Sequence, residues 1–257
     1  MIPFELDQTA PPAPPPPPLT LFARGPFQAG GVIVLDEDEA HHVRVRRLED
    51  GAAVRLVDGK GGIATARLAK EKDAQIARVV ATTLVPAPPA TELWVGAGDR
   101  DRFLDVVEKA TELGATRIQP IITERSQQVA TRFQAVHVEK ASRRAREATK
   151  QCGTAWTPVV AQPLPLAEAL RGKSKAVRLL ASAQGGRVPA LRESDQVQWL
   201  VGPEGGFTEP ELAAILAAGF KAVALWRSTL RFDTAALAAL ALVAQTRLDT
   251  SLSGSHA

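Results

Sequence analysis

From residue 93 onward short apolar runs alternate with amphipathic stretches, and this alternation limits the available folds more than any other feature. "LWVGAG" (93–98) reads as a strand. "DRFLDVVEKATEL" (101–113) has apolar residues at helical spacing and stops at Gly114, a natural residue just past a helix. "RIQPII" (117–122), "KAVRLLAS" (175–182), "VQWLVG" (197–202) and "KAVAL" (221–225) read as further strands. "VHVEKASRRAREATKQ" (136–151), "TEPELAAILAAG" (208–219) and "TAALAALALVAQTRL" (234–248) read as helices. Thr208 and Glu211 form a T-x-x-E capping box, and Asp233 is placed to cap the last helix. Strands separated by helices predict an α/β fold, a parallel sheet with helices on both faces.

The pattern changes upstream. "GVIVL" (31–35), "AAVRLVD" (52–58), "GIATARLA" (62–69) and "AQIARVVATTLV" (74–85) are strand-like, and "VDGKGG" (57–62) joins two of them as a hairpin turn. One helix interrupts at 37–47. So many short strands in so small a segment predict a compact β-barrel. The prolines of "VPAPPATE" (85–92) mark a linker. The expected organisation is a Pro-rich tail (1–18), a β domain (19–85), a linker (86–91), an α/β domain (92–250) and a short tail (251–257). The tract Pro11–Pro18 is expected to be extended and mobile.

With 45% hydrophobic and 23% charged residues, the 257-residue chain belongs with soluble globular proteins and not with disordered ones. A net charge of +3 permits a nucleic-acid partner without requiring one. Cys152 is the sole cysteine, which excludes an intrachain disulfide and fits a reducing compartment such as the cytoplasm. The first residues lack the charged and apolar regions of a signal peptide. "AALAALALVA" (235–244) is too short to span a bilayer, so no membrane association is expected.

Chemistry concentrates in two turns. "LVGPEGGFTEPEL" (200–212) is strand, glycine turn and capped helix, and Glu204 is the sole ionisable side chain among Gly202, Pro203, Gly205 and Gly206. It matches neither G-x-x-x-x-G-K-[ST] nor G-x-G-x-x-G, so the common phosphate loops are excluded. Two adjacent glycines and a proline exceed what a plain turn requires. "LWRSTLRFDTAA" (225–236) is a second strand-to-helix loop, carrying Arg231 and Asp233. Two such loops after neighbouring strand ends would wall one pocket, beyond the carboxyl edge of the sheet. Arg125 and Ser126 end another strand and are candidates to contact phosphate or substrate. Lys109 and Glu112 share a helix face, as a surface ion pair or as site residues. "EKASRRAREATK" (139–150) carries Arg143, Arg146 and Lys150 along one side, either a solvated face or a phosphate-contacting stripe. His41, His42 and His137 have no ligand spacing around them, so no metal site is expected.

Five segments, in order, are similar to the bacterial 16S ribosomal RNA uracil-N3 methyltransferases, the RsmE family of the SPOUT superfamily. They are "AHHVRVRRLEDG", "GDRDRFLDVVEKATELGATRIQPIITERS", "REATKQCGTAWTPVV", "LVGPEGGFTEPEL" and "TLRFDTAALAAL". The resemblance covers residues 19–248. It implies a PUA-like RNA-binding β-barrel followed by an α/β domain with a C-terminal trefoil knot, a topology rare among proteins. It also implies a homodimer, S-adenosylmethionine as methyl donor, and 16S rRNA of the small (30S) subunit as substrate. Carried over to this chain, the donor pocket comprises Leu180, Ser182, Gly202, Glu204, Gly205, Gly206, Leu225, Trp226, Ser228, Leu230 and Arg231. Arg231 or Arg125 would stabilise developing charge on uracil, and Glu204 or Glu112 would be base or orienter. Arg44, Arg47, Lys60, Arg143, Arg146 and Lys150 are the RNA-contact candidates. The chain departs from the family text at Trp226 (a glycine there), Arg227 (a proline), Asp233 (a glutamate), Thr154 (an arginine) and Ala97 (a lysine). A related RNA ribose 2′-O-methyltransferase and a non-catalytic RNA-binding or ribosome-assembly protein are the alternatives.

Overall fold

The computed structural model describes residues 18–72 and 74–253. The expected Pro-rich tail, apart from Pro18, lies outside the described residues, as does the segment from 254 onward.

The first unit comprises β1 (Leu19–Phe22), β2 (Val32–Val34), α1 (Glu37–Val45), β3 (Ala53–Val57), β4 (Gly62–Glu71) and β5 (Ala74–Leu84). Its sheet runs β1-β3-β4-β5-β2, with β1 parallel to β3 and the other pairs antiparallel. β1 is an addition to the elements legible in the sequence, because "LTLF" is a short run directly behind prolines. The hairpin turn between β3 and β4 is held by Asp58, whose Oδ1 accepts from Lys60 N at 2.7 Å and Gly62 N at 2.8 Å. Leu21, Val54, Leu56, Leu68 and Ala77 form the core, and α1 closes it with Ala40 and Val43. Asp36 caps α1, accepting from Glu39 N at 2.9 Å.

The second unit holds β6 (Thr91–Gly96), α2 (Arg100–Glu112), β7 (Arg117–Ile122), α3 (Val138–Cys152), β8 (Val159–Val160), β9 (Leu164–Pro165), α4 (Leu166–Ala169), β10 (Val177–Gly186), β11 (Val197–Val201), α5 (Glu209–Ala217), β12 (Lys221–Val223) and α6 (Phe232–Ser253). The strand order is β12-β10-β11-β6-β7-β8, with β9 also on β7, and every pairing is parallel. The predicted parallel sheet is therefore present. Its central strands are apolar on both sides because both faces are covered. Leu93, Val95, Ile118, Leu179, Trp199 and Val201 point toward α2, α3 and α6. Trp94, Ile121, Leu180 and Leu200 point toward α4 and α5. The residues between 158 and 170 form pieces of two to four residues, too short for any periodicity to show.

Two expectations are corrected. α6 begins at Phe232, so Asp233 lies within its first turn and is not its N-cap; Ala235 N already donates to Arg231 O at 2.8 Å. An acidic side chain there still faces the positive helix terminus favourably. α6 also runs through Ser253, into the residues expected to form a terminal tail.

The units meet along the end of α3 and the segment after it. Gly61 N donates to Ala155 O at 2.9 Å, Thr157 N to Gly59 O at 3.0 Å, and the Trp156 indole to Val85 O at 3.1 Å. Gly61 has positive φ, and a Cβ there would run into the Trp156 ring and Val85 O, so the approach depends on glycine. Beside this seam Lys150 on α3 reaches Glu39 on α1 at 2.7 Å and Glu147 at 2.9 Å. Lys150 was expected to touch RNA. It is instead buried, with the Lys150 and Glu39 side chains only 6% and 5% exposed. Burial opposes the ammonium, but the two carboxylates outweigh it and hold the Lys150 pKa above the ordinary lysine value.

Removing one partner of such a pair leaves a buried charge uncompensated. Lys150→Met is expected to destabilise the chain by about 3–5 kcal/mol at pH 7, and adding Glu39→Leu to recover much of that, as read from urea unfolding. Because the folded pKa is raised, the Lys150 contribution is complete below pH 10.5 and is lost as pH rises through the folded value.

Candidate active site

The carboxyl ends of β6, β10, β11 and β12 lie side by side, and the segments leaving them enclose a cavity of about 530 Å³. That volume is within the range of small-molecule sites. Its walls are Ala181–Ala183 within β10, Gly202–Glu204, Gly206 and Phe207 after β11, Leu225, Trp226 and Ser228–Phe232 after β12, and Arg102 at the start of α2. The floor is apolar, from Val201, Leu212 and Ala235. Among the lining residues the charged groups are Glu204, Arg102 and Arg231.

The turn after β11 shows why its glycines are needed. Pro203 O accepts from Gly206 N at 2.8 Å, and Gly206 has φ +69°, the left-handed region that favours glycine. Gly202 has ordinary φ, but a Cβ there would be 3.0 Å from the Phe207 ring. Gly205 lies against the stem of Arg125, whose guanidinium donates to Gly205 O. Across the sheet, β6 supplies the other half of the contact. A Cβ on Gly96 would collide with the Pro203 backbone, and one on Gly98 with the Glu204 carboxylate. The two turns are pressed together backbone to backbone, and Glu204 Oε1 accepts from Asp99 N at 3.0 Å.

Both partners are themselves anchored. Asp99 caps α2, accepting from Asp101 N and Arg102 N at 3.1 Å each, while Thr131 Oγ1 donates to it at 2.7 Å. The Thr131 bond, then the Arg102 N–H, hold the Asp99 carboxyl below its ordinary pKa. Glu211 divides its carboxylate between Thr208 N at 2.9 Å and Glu124 N at 2.8 Å, tying α5 to the loop after β7. The loop after β12 is held by Ala224 N donating to Gly186 O at 2.8 Å, and Leu225 and Leu230 pack on the core. A Cβ on Gly185 would collide with the Val223 backbone, so β10 and β12 lie in close backbone contact there.

The expected site residues divide accordingly. Ser182, Gly202, Glu204, Gly206, Leu225, Trp226, Ser228, Leu230 and Arg231 line one cavity. Leu180 does not: it is 1% exposed on the opposite face of the sheet, because successive strand residues alternate. Gly205 and Arg125 brace the turn from outside the lining. Ser126 is fully buried, exchanging hydrogen bonds with Thr123, and is not offered to substrate. Glu112 pairs with Lys109 at 2.8 Å near the far end of α2. Arg102 was missed, although its place three residues after the N-cap that follows β6 puts it at the ligand edge. Of the RNA candidates, Arg44, Arg47, Lys60, Arg143 and Arg146 are exposed, and Arg146 lies over the Phe22 ring at 6.0 Å. The histidines do not converge: His42 Nδ1 is 3.4 Å from the Lys150 ammonium, and His137 Nδ1 accepts from Gln134 N at 2.9 Å.

Residues 86–244 match the family described as an RNA methyltransferase domain, and residues 35–80 the RNA methyltransferase PUA domain. The ribosomal RNA small subunit methyltransferase E of Synechocystis sp. is 31% identical over 225 residues, which is 82% of this chain and 72% of that protein. The protein of the same name from Mycobacterium bovis is also 31% identical, over 83% of this chain and 86% of its own. Among solved structures, a ribosomal RNA small subunit methyltransferase E from Neisseria gonorrhoeae bound to S-adenosyl methionine aligns at TM-score 0.80 and 29% identity, covering 89% of this chain and 97% of that one. A methyltransferase from Legionella pneumophila with bound SAM aligns at 0.76 and 26%, covering 88% and 96%.

Gly96→Ala is expected to cost about 1–3 kcal/mol in urea unfolding, since the displaced neighbour is backbone. Gly186→Ala, whose Cβ meets nothing within 4 Å, should be near neutral. Asp99→Ala should cost about 1 kcal/mol through the lost cap. The lowered pKa means that this stabilisation is present above pH 3.8 and disappears as pH falls through the folded value, so the difference between wild type and variant should shrink there.

Proposed function

Since this chain belongs to the ribosomal RNA small subunit methyltransferase E family, we propose that it transfers a methyl group from S-adenosylmethionine to N3 of one uridine of 16S rRNA in the small subunit. The observation that carries the reading is the cavity framed by the turns at 202–207 and 225–232, at the ligand edge of the parallel sheet.

The residues present suit this donor. A nucleoside needs a close backbone approach on an apolar floor, and the glycine turn after β11 offers one above Val201, Leu212 and Ala235. A zwitterionic sulfonium needs an anion and cations nearby, and Glu204, Arg102 and Arg231 line the same space. When bound, S-adenosylmethionine supplies a methyl already activated on sulfur, so the protein mainly positions it. Ser182, Gly202, Gly206, Leu225, Ser228 and Leu230 would hold it. Uracil N3 carries an imino proton that must leave as the N–C bond forms and the S–C bond breaks. Arg231, with its side chain 68% exposed at the mouth, stabilises the negative charge that develops on the ring oxygens. Glu204 is the lining carboxylate available to take the proton. Glu112, paired with Lys109, and Arg125, holding Gly205, are left with structural roles.

Three further features belong to the same reading. A trefoil knot is in keeping with the close contact of Gly185 on Val223, where no side chain fits between the two stretches of chain. A homodimer is supported by the apolar outer face of α6, where Ala241 and Leu242 are exposed. A substrate in the ribosome puts the enzyme in the cytoplasm. Arg44, Arg47, Lys60, Arg143 and Arg146 would meet phosphates.

The test is to incubate the protein with isotopically labelled donor and unmodified small subunits, then map the product by mass spectrometry. Label on uracil N3 of one 16S rRNA nucleotide is expected. Label on a ribose 2′-oxygen, on tRNA alone or on no RNA contradicts the reading. Arg231→Ala should lower kcat by about 100-fold or more with unchanged thermal unfolding, and full retained activity would remove Arg231 from the mechanism.

A further inference from the structure

Trp226 stands apart from the other tryptophans. Trp94 and Trp199 are 7% and 0% exposed within the core. The Trp156 indole donates to Val85 O at 3.1 Å in the seam between units. Trp226 is 62% exposed, and among the described residues its ring makes no aromatic contact and its indole N–H no hydrogen bond. A tryptophan is the costliest side chain to leave in water, and one stranded on a surface invites an occupant.

Its position is fixed. Leu225 on one side and Leu230 on the other are packed against the core, so the tip 226–229 projects from two anchored ends. The same tip closes the mouth of the cavity, with Arg227 and Arg231 exposed beside it. An anchored aromatic ring flanked by guanidinium groups is the arrangement that binds an unstacked nucleobase and its phosphates. A base methylated at N3 must be withdrawn from its pairing and stacking to present that atom, and an enzyme needs a surface to receive it or the neighbour it leaves.

We propose that the Trp226 indole is a stacking platform for an unstacked base of the RNA substrate, the target uracil or the nucleotide next to it, with Arg227 holding the adjoining phosphate. The exposed face of the ring thus serves the acceptor, while Leu225, Ser228 and Leu230 of the same loop serve the donor. This rests on the methyltransferase reading above. It makes Trp226 a positioning and specificity residue and gives it no part in the proton or methyl transfer.

The test compares wild type, Trp226→Leu and Trp226→Phe, measuring KM and kcat on unmodified small subunits and, separately, donor Kd by calorimetry without RNA. Trp226→Leu should raise KM for subunits about 5- to 100-fold and weaken donor Kd by a much smaller factor, since Trp226 also lines the donor cavity, and Trp226→Phe, which keeps a ring face, should recover most of the KM loss. An unchanged KM in Trp226→Leu overturns the proposal. So does a donor Kd weakened by the same factor, which would assign the ring to the donor. So does a rise in KM that tracks loss of association between copies of the chain. If the wild type itself leaves subunits unlabelled, the functional reading fails first, visibly and before any variant is compared, and the proposal falls with it.

Discussion

The site depends on one contact between backbones, Gly96 against Pro203. A parallel sheet brings the ends of β6 and β11 within reach, but side chains would normally hold the loops leaving them apart. Here the loop after β6 sheds its side chains at Gly96 and Gly98, the two points of contact. Gly98 then leaves room for the Glu204 carboxylate, which hydrogen-bonds to Asp99 N at 3.0 Å. That bond joins the turn after β11 to the N-cap of α2, and so brings Arg102 to the cavity. Glu204 therefore has two tasks open to it, bracing one loop with one oxygen and facing the cavity with the rest of the carboxylate.

A second seam fixes the β unit against this platform. Gly59 and Gly61 let the hairpin turn accept the chain after α3, and the buried Lys150–Glu39 pair lies beside it. A pair of this kind adds little net stability against an apolar replacement, but it strongly penalises any arrangement that separates its partners. It thereby sets the orientation of the exposed arginines on α1 and α3 relative to the cavity. For the large folded RNA proposed as substrate, that geometry matters more than a fraction of a kcal/mol.

The architecture was legible because it is written in repeated signals. The alternating strands and helices of 93–225, the capping box at Thr208 and Glu211, and Gly114 and Gly153 after their helices each report a local preference that the fold keeps. The cavity was legible in its two loops because both run from a strand end to a helix start, the first of them with a glycine run and the second with none. What stayed hidden depends on tertiary placement. Lys150 reads as one more cation on a basic helix until Glu39 arrives from a segment over a hundred residues away. Leu180 differs from its neighbour Ala181 only in which face of β10 it points to. Ser126 looks like a strand-end hydroxyl until Thr123 claims it. Arg102 sits three residues past an N-cap at the ligand edge, but its facing the cavity also rests on the Asp99–Glu204 bond, which joins segments 105 residues apart.

The central claim is that the turns at 202–207 and 225–232 together hold the methyl donor. Amide hydrogen exchange of the intact protein with and without S-adenosylmethionine tests it most directly, because it reads the backbone of both turns at once and does not require turnover. The account predicts added protection confined to 181–183, 201–208 and 224–232, with β3–β5 unchanged. Protection elsewhere, or none in either turn at saturating donor, would contradict it.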